Sequence, residues 1–233
     1  MQKNSIQKKL SNVDAFYDEI SKSYTDSIQR CVPDYSEMLK SLFIYINPDF
    51  QPKTILELGC GTGNLTQMIH QRYPDTNIVA VDISSECISE CKSRLSSTNI
   101  KYIQRDFKDI EFPDNTFDLV LSSISIHHIN DKDKELLFQK LYRYQTPNGV
   151  LSFCDQFRGE TDFVYNKHIE RWKKYATEQG ASNDEWNMWM QHQQEHDYHS
   201  TLVNHLQWIK NAGYRLADCT RKHLLWTTIY AEK

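Results

Sequence analysis

The sequence predicts an α/β protein built on a doubly wound, mostly parallel seven-stranded sheet. Three observations carry that prediction. From Thr54 onward, strand-sized apolar runs alternate with helical patterns; a glycine-rich turn, ILELGCGTGNL at Ile55 to Leu65, joins the first run to a helix; and acids, Asp82 and Asp106, close the next two runs. Short runs that are apolar throughout suit strands buried on both faces, as parallel βαβ crossovers require.

The elements follow in order. FYDEISKSYTDSI places Phe16, Tyr17, Ile20, Tyr24 and Ile28 at helical spacing, and a second helix starts near Asp34 and runs through YSEMLKSLFIYI. Asn47, Pro48 and Pro52 end that pattern. Strand TILEL, a helix from Gly63 to about Arg72, strand NIVAVD, a helix from Ser85 to about Leu95 and strand IKYIQRD come next. After a linking segment come strand FDLVLSS, a helix from Asp131 to about Tyr144 and strand GVLSFCD. Two helical patterns, FVYNKHIERWKKYATEQ and NDEWNMWMQHQQEH, then stand where a short connection would suffice. They read as a helical cap inserted before the last helix, over the carboxyl edge of the sheet. Helix STLVNHLQWIKNAG and two closing segments, YRLADCTRK and HLLWTTIYAE, complete the chain, the last two pairing as a hairpin. The expected organisation is therefore amino-terminal helices over 1–50, a core over 51–156 and 199–233, and a cap over 157–198. No internal repeat or low-complexity tract is present.

Composition narrows the function. At 233 residues the chain fits one large α/β domain. A formal charge of −4, with cations scattered among acids, leaves no basic face for a run of phosphates, so nucleic acid is not an expected partner. The start, MQKNSIQKKL, lacks the apolar core of a signal peptide and no run is long enough to span a bilayer, so a cytoplasmic protein without membrane association is expected. Six cysteines without CxxC spacing read as reduced thiols. Cys87 and Cys91, four apart, make an incomplete zinc site.

The glycine turn carries the chemistry. Gly59, Gly61 and Gly63 form GxGxG, with Asn64 where a dinucleotide fingerprint would need its third glycine, and no lysine follows as a triphosphate loop requires. The ligand should carry little or no phosphate. Asp82, at the end of the second strand, is placed to accept both hydroxyls of a ribose. Asp106 and Phe107 offer a carboxylate and a flat apolar ring to an adenine, and Glu57 can hold positive charge near the glycines. The site asks for an adenosine without phosphates, bearing a cationic tail.

In these residues the chain resembles the class I S-adenosylmethionine-dependent methyltransferases of the small-molecule type. The resemblance extends over about residues 14 to 233 and rests on ELGCGTG, VDIS, RDF, FDLVLSSISIHHI and PNGVLSF, in that order. It implies a Rossmann-like fold with S-adenosyl-L-methionine as cofactor. It further implies that Gly59, Gly61 and Gly63 lie against the methionine part, Asp82 on the ribose, Ile83 against the adenine ring, Asp106 on the adenine amino group with Phe107 beside it, and Ser122 near the sulfonium. The first helix resembles one that closes over the cofactor, with Tyr17 or Tyr24 facing the methionine end and Arg30 meeting its carboxylate; tyrosine faces attract a sulfonium.

Methyl transfer from an activated donor needs positioning and exclusion of water more than a base. If a base is used, His127 and His128, just past the fourth strand, are the candidates, and His127 is the catalytic residue to test first. HQQEH, His192 to His196, matches the inverted zincin pattern HxxEH but lacks a third ligand and a protease architecture, so no metal is expected. Trp172, Tyr175, Trp186, Trp189 and Tyr198, with Met188 and Met190, are candidates to wall an acceptor pocket; an aromatic stripe on a helix serves a core equally well. The expected activity is metal-independent methylation of a small-molecule acceptor, and nothing excludes a homodimer. Two alternatives stay open: an enzyme of the same fold that breaks another sulfonium bond, by cyclisation or aminocarboxypropyl transfer, and a cofactor-binding protein without catalysis.

Overall fold

The computed structural model describes residues 13–97 and 99–233, so the reading of MQKNSIQKKL lies outside the described residues. Two helices, α1 (Val13–Cys31) and α2 (Tyr35–Ser41), precede β1 (Thr54–Leu58). Then follow α3 (Asn64–Arg72), β2 (Asn77–Asp82), α4 (Ser85–Arg94), β3 (Ile100–Gln104), β4 (Phe117–Ser123), α5 (Asp131–Tyr144) and β5 (Gln145–Gln156). The chain closes with α6 (Asp162–Glu178), α7 (Asn183–His196), α8 (Leu202–Ala212), β6 (Leu216–His223) and β7 (Trp226–Glu232). Helix α2 ends at Ser41, well before the end of the apolar run that suggested a longer helix, and LFIY continues as turns. β5 begins at Gln145 rather than Gly149: Gln145 pairs with Phe117, and the register then jumps to Leu119 opposite Val150.

The seven strands form one sheet in the order β3-β2-β1-β4-β5-β7-β6. The first five are parallel, and the closing hairpin inserts β7 antiparallel between β5 and β6. The order reverses between β1 and β4, which is where open sheets of this kind bind ligands, beyond the strand carboxyl ends. Register brings Leu58, Val81 and Ser122 level there.

Capping makes the helix starts legible. Ser84, Asn130, Thr161, Ser182 and Thr201 each accept a hydrogen bond from the amide three residues on, an arrangement worth about 1 kcal/mol apiece. Helix α3 differs, since Gly63 opens it at φ 91° with no side-chain cap. One face of the sheet packs against α5 and α8 through Phe138, Leu141, Phe153 and Ile209. The other packs against α1, α2 and α3, and joins the tryptophans of α6 and α7: Trp172 meets Trp186 at 4.8 Å and Trp226 at 4.9 Å between ring centroids.

His205 on α8 is buried against Phe157 and hydrogen-bonded to the Thr201 carbonyl at 2.9 Å; burial pushes its pKa down to about 4. An imidazole kept neutral in the fold but titrating near 6.5 when unfolded withdraws stability as pH falls from 6.5 toward 4. At pH 5 that amounts to about 2 kcal/mol. Urea unfolding at pH 7 and pH 5 should therefore show a smaller loss for His205→Gln than for the natural sequence.

Candidate functional site

At the switch point, the turn after β1 must pass close beneath the turn after β4. A Cβ on Gly59, whose φ is 67°, would sit 2.4 Å from the Ser125 Cβ, so a side chain here would force the two turns apart. Asp82 holds the glycine turn in shape, accepting from the Gly61 amide at 2.7 Å and the Ser84 amide at 2.9 Å. From above, Thr25 of α1 shares a hydrogen bond with Thr62 at 3.0 Å, and Asp18 accepts from the Ser84 hydroxyl at 2.5 Å. Helix α1 thereby roofs a cavity whose empty space, mouth included, is about 840 Å³.

Eight of the expected residues line this cavity: Tyr17, Tyr24, Gly59, Gly61, Asp82, Ile83, Asp106 and Phe107. Four do not. Glu57 is fully buried beneath the turn, outside the cavity lining, with neither carboxylate oxygen hydrogen-bonded, and burial drives its pKa well above the ordinary range. Gly63 caps α3 instead, its Cβ position filled by Cys91 Sγ at 2.6 Å. Ser122 is spent on the backbone, donating to Leu58 O at 2.9 Å and sharing a hydrogen bond with Ser125, which reaches the cavity in its place. Arg30 turns outward to Glu185 of α7, with Nη2–Oε1 at 2.6 Å, because an opposite charge on the cap lies nearer than the cavity.

A second chamber, about 390 Å³, opens beneath α6 and α7. Tyr17, Tyr24 and Ile124 line both spaces and form the wall between them. Ile124 stands at φ 50°, a strained position for a β-branched residue, held by the hydrogen bond its amide donates to the Cys154 carbonyl at 2.8 Å. Of the candidate aromatics, Trp172 and Trp189 line this chamber, Trp186, Met188 and Met190 serve the core, and Tyr175 and Tyr198 lie elsewhere. The indoles are hydrogen-bonded to α1, Trp172 to the Cys31 carbonyl at 2.7 Å and Trp189 to Ser27 Oγ at 3.1 Å.

The polar side of the second chamber is a buried cluster. His127 approaches Asp155 through Nδ1 at 2.5 Å and through its amide at 3.1 Å. His128 shares a hydrogen bond with the Tyr17 hydroxyl at 3.0 Å. Asp197, with its side chain 3% exposed, lies close to four imidazoles, those of His127, His128, His192 and His199. Burial opposes the His127 imidazolium, but Asp155 and Asp197 outweigh it and raise its pKa; burial and the neighbouring His127 lower that of His128. Burial takes His192 down to about 2, while the histidines hold Asp197 well below the carboxylate range against its own desolvation. Asp155 and Asp197 went unnoticed in the sequence. Asp155 carried a usable signal, an acid at the end of a buried strand like Asp82; Asp197 carried none, since only the fold of the cap brings it here.

Residues 55–149 match the family described as a methyltransferase domain. A carboxy-S-adenosyl-L-methionine synthase of Helicobacter pylori is 24% identical over the whole of both chains, and one of Klebsiella pneumoniae is 25% identical over 66% of each. A solved S-adenosylmethionine-dependent methyltransferase of Mesorhizobium loti superposes with a TM-score of 0.60 at 16% identity, over 83% of this chain and 96% of that one. Residues 55–149 thus match a methyltransferase domain, set in the fold of the solved S-adenosylmethionine-dependent methyltransferases. No helix among the described residues is long and apolar enough to cross a membrane.

The cap is fastened to α1 by Glu185, which accepts from Ser27 Oγ at 2.6 Å and from Arg30 at 2.6 and 3.1 Å. Glu185→Ala strands both donors, a loss of about 1.5–3 kcal/mol for a charged acceptor. Amide hydrogen exchange in α7 and the second half of α1 should then quicken at least about tenfold, with the sheet unaffected.

Proposed function

We propose that this protein binds S-adenosylmethionine and transfers its methyl group to a small-molecule acceptor held in the chamber beneath α6 and α7. One observation carries the reading: the two cavities meet at a shared wall of Tyr17, Tyr24 and Ile124, so a donor in one and an acceptor in the other are separated by a side chain's thickness. In this reading Gly59 and Gly61 face the methionine part, Asp82 takes the ribose, and Ile83, Asp106 and Phe107 receive the adenine. The tyrosine faces favour the sulfonium, whose charge is lost as the methyl leaves. Helices α1, α6 and α7 exclude water, and the protein's main contribution is alignment of an in-line displacement. His127 is the catalytic residue: Asp155 fixes its tautomer through Nδ1, leaving Nε2 to the acceptor side.

The relatives named carboxy-S-adenosyl-L-methionine synthase favour a second reading, in which the cofactor itself gains a carboxyl group. A carboxylate entering the second chamber would need a cation to receive it. No arginine or lysine is among the described residues that line that chamber, and Asp197 is, so an acceptor that is neutral or cationic fits its electrostatics better.

Incubation with S-adenosylmethionine and fractionated metabolites, followed by mass spectrometry, separates the readings. Methyl transfer yields S-adenosylhomocysteine together with a methylated metabolite. A cofactor heavier by a carboxyl group supports the second reading, and methylthioadenosine overturns both. Asp82→Ala should weaken cofactor binding by about 1.5–3 kcal/mol in calorimetric titration, the range for hydrogen bonds to a charged group; unchanged affinity would remove Asp82 from the site.

A further inference from the structure

The buried cluster beside the second chamber contains more ligating atoms than hydrogen bonds. Asp197 Oδ1 is buried and accepts none, although three imidazole nitrogens surround it: His128 Nδ1 at 3.2 Å, His127 Nε2 at 3.6 Å and His192 Nε2 at 3.8 Å. His192 makes no hydrogen bond through either nitrogen. Two of these separations exceed a hydrogen bond, and none of the three contacts has hydrogen-bond geometry. They do match the edges of a coordination polyhedron: bonds of about 2.1 Å in tetrahedral geometry space their ligand atoms roughly 3.4 Å apart. One ligand atom from each of His127, His128 and Asp197 can be chosen so that all lie within 4.8 Å of one another.

We infer that His127, His128 and Asp197 bind a divalent first-row transition metal ion, of the zinc class, at the junction of the two chambers, with His192 3.8 Å from Asp197 beside them. The surroundings are those of a prepared site. Asp155 accepts from His127 Nδ1, the carboxylate-to-histidine contact that aims the opposite nitrogen at a metal. Tyr17 engages His128 Nε2 and leaves Nδ1 to the cluster. The segment carrying Asp197 is clamped: the Tyr198 amide donates to the His127 carbonyl at 2.7 Å, and Lys134, itself fully buried, donates to the Tyr198 carbonyl and to Ser200 Oγ at 2.7 Å. His199 Nε2 lies 3.3 Å from the other carboxylate oxygen, again without hydrogen-bond geometry.

The site deepens the methyl-transfer reading, on which its role rests. His128 borders the cofactor cavity, whereas His127, His192 and Asp197 border the acceptor chamber. An ion held between them would orient an acceptor bearing an oxygen or nitrogen donor toward the cofactor. On this proposal the nitrogen of His127 that faces the acceptor chamber is a ligand, and His127 acts through the ion rather than as a base. Imidazole and carboxylate donors together suit zinc, cobalt or iron better than magnesium or calcium.

The test needs neither cofactor nor acceptor, so its failure is distinct from failure of the methyl-transfer reading. The full chain, stripped with a chelator, is titrated with Co²⁺ and followed by visible absorption. Expected are one ion per chain, an intense d–d band of low-coordinate cobalt, and displacement by Zn²⁺. Asp197→Asn should weaken Co²⁺ binding at least about tenfold, and Asp155→Asn about 10–100-fold, with circular dichroism and S-adenosylmethionine binding retained. A spectrum of hydrated Co²⁺ only, in the unsubstituted chain, overturns the site. So does binding that Asp197→Asn leaves unchanged.

Discussion

The turn between β1 and α3 takes a shape that Asp82 imposes, and the cavity depends on that contact. Its carboxylate reaches across from β2 to the Gly61 amide and back to the Ser84 amide, tying together the ends of two neighbouring strands. A charged acceptor binds an amide about twice as strongly as a neutral one, and here it does so in a buried place where water does not compete. With the turn fixed, Gly59 can lie against Ser125, the loops after β1 and β4 can meet, and the switch point becomes a floor rather than a gap.

The roof is held by different physics. Helix α1 touches the turn through Thr25 and α4 through Asp18, while Trp172, Trp189 and Glu185 of the cap bind its other side. Each contact joins an apolar ring or helix face to a polar anchor, which fixes orientation as well as burial. One helix therefore serves two chambers. Its tyrosines form their common wall, so a displacement of α1 changes both at once.

Many buried polar groups of the core find partners, as Ser41 does with Thr228 at 2.7 Å, whereas Glu57, Ser152 and Thr227 do not, and neither does much of the histidine cluster. Around Asp197 the ligating atoms face one another unbonded, although leaving a buried polar group unsatisfied costs about 1–3 kcal/mol. Lys134, Tyr198 and Asp155 keep the arrangement from collapsing into ordinary hydrogen bonds. Arrangements of this kind persist where function is served by them.

By itself the sequence determined the strand–helix alternation, the glycine turn, the acids at the ends of β2 and β3, and the presence of two extra helices before α8. These are local properties: periodicity, turn chemistry and capping act over a few residues, so a linear reading reaches them. Tertiary structure alone decided where the side chains go. Arg30 was drawn to Glu185 and away from the cavity, Glu57 was sealed beneath the turn, and Ser125 took the place expected of Ser122. It also gathered Asp155, His192 and Asp197, all distant in the chain from the histidine pair, around it. Long-range placement depends on which partner lies nearest once the cap has folded back, and no local pattern records that.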